Sequence, residues 1–244
     1  MIHFLRFIKR LLRMPWFDTT WQPYWALEAE DVLISLLLKA GEFPTSRCYV
    51  DIGAHHPRRY STTFLLYRLG WTGLLVEPNP SLARELRRGR RRDIVEQCAV
   101  SDLSGTATFY VYENPCYSTL SAEHAARLQD EQGMPALHEI VTPVRPLREL
   151  LDAHADVFRR AELLKVDAEA HDIEVLRSND WSRFRPRFVV AEMLGEVAQT
   201  APRAEVALFL FERGYQLRSF LYHSAIFERL TDLPRQGESG FSAQ

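Results

Sequence analysis

Short apolar runs separated by amphipathic segments recur through most of the chain, and that alternation predicts strands joined by helices in a mostly parallel α/β sheet. Residues 26–40 carry a helical pattern that stops at Gly41. Val50 to Ile52 then end a buried strand, and Gly53 and Ala54 keep the next turn small. A helix over Thr62 to Leu69 ends at Gly70, Thr72 to Glu77 form strand two, and Pro80 with Ser81 opens a further helix. Ile94 to Val100 reads as strand three. Past Gly105 comes the alternating Thr106 to Tyr112, an extra edge strand or hairpin. Residues 113–138, with Asn114, Pro115, Gly133 and Pro135, read as a loop-rich insertion of the kind that shapes substrate sites. Glu139 to Val144 is strand-like, Leu147 to His154 helical, and Leu163 to Asp167 an apolar strand that stops abruptly in DAEAHD. Phe188 to Glu192 repeats that design. A helix near 202–213 and a hairpin of Tyr215 to Phe220 with Ala225 to Leu230 complete the sheet, leaving a loose tail after Pro234.

Composition adds bounds. With 244 residues and 46% hydrophobic content the chain fits one α/β domain with modest additions. The boundaries read as an N-terminal helical extension over 1–46, the main domain over 47–232 and a tail over 233–244. A net charge of -2 argues against a general nucleic-acid binder, which needs a basic surface for the phosphate backbone. Cys48, Cys98 and Cys116 are odd in number, and the first two adjoin apolar runs, as buried thiols would. No cleavage pattern and no bilayer-length apolar run are visible, so the expected setting is cytoplasmic.

Two local charge patterns stand apart from that near-neutral average. In MIHFLRFIKRLLRMPWF, His3, Arg6, Lys9, Arg10 and Arg13 recur at helical spacing opposite Phe4, Leu5, Ile8, Leu11 and Leu12. Residues 1–15 therefore form a basic amphipathic helix suited to peripheral contact with the inner membrane face, or to packing on the domain or a partner subunit. The second pattern is the run Arg84, Arg87, Arg88, Arg90, Arg91 and Arg92, which reads as a solvated face with the alternative of holding an anionic lipid or glycan.

The chemistry gathers at strand ends. Glu77 closes strand two where a carboxylate can accept two hydrogen bonds from a ribose diol. Asp167, Glu169, His171 and Glu192 follow two further buried strands, at the edge where open α/β sheets hold ligands. Those four side chains also suit a divalent ion that would acidify a bound hydroxyl.

VDIGAHHP, YST, GWTGLLVEPNP, AVSDLSGTATFYVY, LLKVDAEAHDIEVLRSNDW and RPRFVVAEM, in that order over about 47–220, resemble the FkbM-type methyltransferases. The resemblance implies a class I S-adenosylmethionine-dependent fold, a seven-stranded sheet with an antiparallel last strand, and O-methylation of sugar or polyketide hydroxyls. Matched by position, Asp51, Gly53 and Ala54 stand at the first cofactor motif and Glu77 at the ribose. Pro78 and Asn79 follow near the adenosine, and Ser101 and Asp102 near the adenine beside Val100. Asp167 belongs to both the cofactor and catalytic sets. DAEAHD resembles the family's D-x-E-G-H-[DE], with Ala170 in place of glycine. His55, His56 and Pro57 replace an asparagine and a glycine-containing turn; His55, His56, Tyr60, Ser61 and Glu192 are the candidates for holding a small-molecule or glycan acceptor.

A hydroxyl must lose its proton to attack a sulfonium methyl, and His171 is the base candidate by its ordinary pKa, with Asp167 or Glu169 orienting it. Two other readings use the same residues. One is a nicotinamide-dependent oxidoreductase, against which the G-x-G-x-x-G spacing is missing; the other is a noncatalytic glycan-binding or scaffold protein.

Overall fold

The computed structural model describes residues 24–39, 46–193 and 195–230, so the amphipathic segment over 1–15 and the tail after 233 lie outside the described residues. In chain order the elements are α1 (Glu30–Lys39), β1 (Cys48–Ile52), α2 (Phe64–Arg68), β2 (Thr72–Val76), α3 (Pro80–Gly89), β3 (Ile94–Glu96), β4 (Ala99–Val100) and β5 (Gly105–Val111). They continue with α4 (Ala122–Gln132), β6 (His138–Arg145), α5 (Leu147–Ala153), α6 (Ala155–Phe158), β7 (Ala161–Val166), α7 (Asp172–Arg177), β8 (Phe188–Glu192), α8 (Glu205–Phe211), β9 (Tyr215–Phe220) and β10 (Ser224–Arg229).

The main sheet runs β3-β2-β1-β7-β8-β10-β9. β10 is antiparallel to both neighbours, and every other pairing in this sheet is parallel. This is the seven-stranded class I arrangement expected above. Because the chain leaves β1 toward β2 and later returns on its other side through β7, the strand order reverses between β1 and β7. That reversal opens a crevice at their carboxyl ends. Side chains alternate across the buried strands. Tyr49, Leu75 and Leu163 pack with Ile34 and Leu38 of α1, Leu66 of α2 and Leu86 of α3. Val50, Leu74 and Leu164 face the other way, onto Leu147 and Leu150 of α5, Val175 and Leu176 of α7, and Leu210 of α8. Each such side chain contributes about 1.5–3 kcal/mol on burial.

Three expectations need correction. The single strand over Ile94 to Val100 is two. β3 ends at Glu96, and β4 joins a second sheet, β4-β6-β5, pairing Ala99 with Val144 and Val100 with Arg145. The loop-rich insertion contains α4, which Ser121 caps by accepting from the His124 N–H at 3.1 Å and which Gly133 ends at φ +65°. Arg90, read as part of a solvated face, is wholly buried. Its Nε meets Asp93 at 2.8 Å, Nη2 donates to the Tyr49 and Thr63 hydroxyls, and Nη1 donates to Ser61 and to the Pro57 carbonyl. A buried guanidinium is retained only with its donors so satisfied.

Candidate active site

The crevice holds a cavity of about 1060 Å³ including its open mouth. Gly53, one residue past β1, sits at φ +71°, and its N–H donates to the Val76 carbonyl at 3.0 Å. A Cβ there would fall 1.8 Å from the Asp167 carbonyl oxygen, so only glycine lets the β1 turn and the β7 exit lie against each other. Behind the turn, Asp51 is buried and accepts from the Thr63 hydroxyl at 2.7 Å. It does not line the cavity, and neither does Ala54.

Glu77 is buried and does line the cavity. Its Oε2 accepts from the His55 N–H at 2.8 Å and its Oε1 from the Asn79 N–H at 2.9 Å, so backbone amides orient both oxygens while their remaining lone pairs stay available. Burial pushes its pKa up to about 7 against the pull of those amides. Pro78 lines the cavity next to it, whereas Asn79 turns away to cap α3 through Ser81 and Leu82.

Opposite stand the two strand ends. Asp167, Glu169 and Glu192 each offer an oxygen within 4.8 Å of the others. Glu169 is pushed up to about 9 by burial first and by Asp167 and Asp172 next; Glu192 is raised by burial and the same neighbouring carboxyls, and Asp172, buried beneath, reaches about 7. Like charges this close share protons. The Glu192 Oε2 is buried without a partner, an orphaned acceptor that a cation would satisfy. One cation is built in. Lys165 donates from Nζ to the Gly53 carbonyl at 2.7 Å and lies 3.2 Å from Asp167 and 3.5 Å from Asp51. Among the described residues the lining nonetheless carries six carboxyls, Glu28, Glu30, Glu77, Asp167, Glu169 and Glu192, against that single ammonium and no arginine.

The paired histidines diverge. His55, at φ +53°, enters the cavity, stacked on Tyr60 and with Nε2 3.8 Å from the Cys116 sulfur; its Nδ1 is buried and unpartnered. Burial, with help from Lys165, lowers its pKa to about 4, which keeps the ring neutral. His56 instead accepts the Arg58 and Arg59 N–H groups on Nδ1, closing the turn outside the cavity lining. Ser61 is likewise taken by Arg90. His171 lines the cavity, but Nε2 meets the Ser101 hydroxyl at 2.9 Å and Nδ1 faces Glu174 at 3.6 Å, so the ring ties the DAEAHD loop to the β4 exit. Burial lowers its pKa. Asp102 is exposed. The structure therefore gathers Gly53, His55, Tyr60, Glu77, Pro78, Asp167, Glu169, His171 and Glu192 around one space, and holds Asp51, Ala54, His56, Ser61, Asn79, Ser101 and Asp102 behind or beside it.

Sequence reasoning missed Lys165, although a lysine inside the apolar run LLKVD was its signal. It also missed Leu27 and Glu28, which roof the cavity because Glu28 accepts from the His223 and Ser224 N–H groups at 2.8 and 3.1 Å; nothing local foretells that contact.

No curated protein matches the chain. A crystal structure of a methyltransferase from Geobacter sulfurreducens aligns over 93% of this chain and 89% of its own at 12% identity, with a TM-score of 0.43. The family described as the methyltransferase FkbM domain matches residues 51–217, from the buried Asp51 to the middle of β9, a span that includes the carboxyl ends of β1, β2, β7 and β8. With well over half of its 244 residues so matched, the chain belongs to the FkbM methyltransferase family.

Proposed function

We propose that the chain is an S-adenosylmethionine-dependent O-methyltransferase acting on a hydroxyl of a saccharide, glycolipid or similar natural product, with 47–232 as the catalytic domain. The observation that carries the reading is the make-up of the cavity wall: an oriented diol acceptor, Glu77, faces a cluster of carboxyls that a bound positive charge would ionise, with one ammonium among six acids in the described lining. A ribose with a sulfonium fits both sides of that wall. A nicotinamide dinucleotide has the diol as well, but its pyrophosphate would enter a site rich in carboxylates, without the glycine-rich backbone that such a group requires.

Methyl transfer needs alignment and a proton acceptor. Glu77 holds the ribose diol, Val100, Leu82 and Phe109 supply apolar surface for the base, and Lys165 ties the Gly53 carbonyl to the Asp167 carboxylate. Bound, S-adenosylmethionine supplies the electrophilic methyl. Asp167 is the best-placed group to take the acceptor's proton, joined by Glu169 once a bound positive charge has ionised it. His171, engaged by Ser101, positions their loop, and His55 Nδ1 is free to accept a hydrogen bond from the acceptor. A divalent ion would be held by Asp167, Glu169 and Glu192 and would lower the hydroxyl's pKa.

Titration calorimetry with S-adenosylmethionine and with NAD tests the donor: saturable binding of NAD alone overturns the reading. Labelled methyl transfer to a panel of saccharides and polar lipids, repeated with Asp167→Asn, Glu169→Gln and His171→Ala, tests the site. Turnover unchanged in all three variants would remove the assignment.

A further inference from the structure

We infer that the face built by α2, α3 and the turn at 57–60 docks on an anionic lipid bilayer. Eight exposed arginines crowd it: Arg58, Arg59, Arg68, Arg84, Arg87, Arg88, Arg91 and Arg92. None makes an ion pair among the described residues. Of the three carboxyls interspersed with them, Glu85 is half-exposed and offsets part of the charge, and the other two are taken up inside. Glu85 lies 3.7 Å from His56, Glu77 is buried in the cavity wall, and Asp93 is held by Arg90, Tyr49 and the Gly73 N–H. A chain with a net charge of only -2 thus gathers eight of its 30 lysines and arginines on one face.

Packing makes this a continuous surface. Trp25 meets Phe64 edge-on at 5.2 Å, Phe64 stacks near Tyr67 at 6.1 Å, and Arg68, Arg58 and Arg92 lie over those three rings in turn at 5.3, 6.0 and 3.9 Å. The bare backbone of Gly89 admits Pro57, which sets Arg58 and Arg59 against the end of α3. Along α3, Leu82, Ala83 and Leu86 face the core while Arg84, Arg87 and Arg88 face outward.

Three features favour a bilayer over a nucleic acid. Apolar side chains are interleaved with the charges, Tyr60 at 49% and Leu69 at 43% exposed. Leu27, at 63%, and Tyr60 line the cavity as well, so a membrane on this face meets the cavity mouth. The chain enters the face at Tyr24 and Trp25, and the sequence before them is the basic amphipathic stretch with Phe4, Ile8 and Leu11. Phosphate headgroups answer the arginines and the acyl boundary answers the apolar residues.

The test is sedimentation of the full chain with phosphatidylcholine vesicles, alone or with about one third phosphatidylglycerol, across a salt series. Binding should need the anionic lipid and weaken with salt. Each arginine near such a surface contributes about fivefold, so Arg84→Ala, Arg88→Ala and Arg91→Ala together should weaken partitioning roughly a hundredfold. The melting temperature and the affinity for S-adenosylhomocysteine should stay unchanged, because the three side chains lie outside the cavity lining. The matching triple lysine variant should retain most of the binding. Equal partitioning onto neutral vesicles, wild-type partitioning by the alanine variant, or tighter binding of a DNA duplex than of the anionic vesicles at matched phosphate would each overturn the inference.

Discussion

Gly53→Ala probes the contact that brings the β1 turn and the DAEAHD loop together. The added Cβ would lie 1.8 Å from the Asp167 carbonyl oxygen, and both sides of that contact are backbone, so no rotamer change relieves it. The β1 turn and the β7 exit must part by about 2 Å to reach ordinary van der Waals separation. Parting strains the hydrogen bond from the Asp167 N–H to the Ile52 carbonyl, 3.2 Å, and the one from Lys165 Nζ to the Gly53 carbonyl, 2.7 Å. A neutral hydrogen bond is worth about 1 kcal/mol and a charged one about 2 kcal/mol. An alanine at φ +71° adds about 1–2 kcal/mol of strain, offset by about 0.5–1 kcal/mol because glycine loses more entropy on folding. The expected loss is about 4 kcal/mol, or about 10 °C in melting temperature for a chain of this size. Thermal and urea unfolding measure it, and calorimetry should find S-adenosylmethionine affinity lost with it. A loss under about 1 kcal/mol with affinity intact would refute the claim that the close approach organises the site.

Ala170 sits at φ +67°, left-handed backbone that its methyl group disfavours, so Ala170→Gly should stabilise the fold by about 0.5–1 kcal/mol, read as a melting temperature higher by about 2 °C. Glu77, pushed up to about 7 by burial, must be ionised to accept both ribose hydroxyls; S-adenosylmethionine affinity should therefore rise about tenfold from pH 6 to pH 8, and a flat profile would remove Glu77 from that role. Folded-state pKa values raised to about 7 for Glu77 and Asp172 and to about 9 for Glu169, from ordinary values of 4.5, 3.8 and 4.5, mean that the native state holds protons the unfolded chain has lost. The contribution of these three groups is full below about pH 4 and falls as pH rises through 7 toward 9, so the urea midpoint at pH 6 should exceed that at pH 9.

The centre of the sheet was legible because β1, β2, β7 and β8 are buried on both faces and read as apolar runs; Phe188–Glu192 and the edge strand Tyr215–Phe220 have the bounds that the sequence pattern assigns them. The third strand was not, since Ile94–Val95 and Cys98 to Val100 read as one run broken only by Glu96 and Gln97, while the chain crosses from one sheet to the other at Gln97 and Cys98. Helix α4 carries its caps in sequence, Ser121 and Gly133, but the surrounding prolines and glycine masked them. At the site, residue type located the carboxyls because a charge after a buried strand has few other places to go. It did not separate His55 from His56: adjacent residues with the same side chain, one at φ +53° facing the cavity and the other accepting two turn amides. Nor did the arginine run reveal that Arg90 points inward. That follows from Asp93, Tyr49 and Thr63, which meet it only once the strands and helices have packed.

The excess of carboxyls over ammonium in the cavity has a direct consequence for how donor and product bind. S-adenosylmethionine and S-adenosylhomocysteine share the ribose that would engage Glu77, so proton exchange there is common to both. They differ by the sulfonium charge. A unit positive charge within about 6 Å, at an effective dielectric constant of about 20, is worth about 3 kcal/mol, or about two pKa units. That would bring Glu169 from about 9 to about 7, and Glu192 would shift in the same direction. At pH 8 Glu169 then passes from mostly protonated to mostly ionised when the donor binds, and stays protonated when the product binds. Calorimetry in two buffers of different ionisation enthalpy counts released protons; S-adenosylmethionine should release nearly one more than S-adenosylhomocysteine. Glu169→Gln should remove most of that difference while leaving the shared release at Glu77. Equal proton counts for the two ligands in the wild-type protein would show that the sulfonium does not face the Asp167, Glu169 and Glu192 cluster.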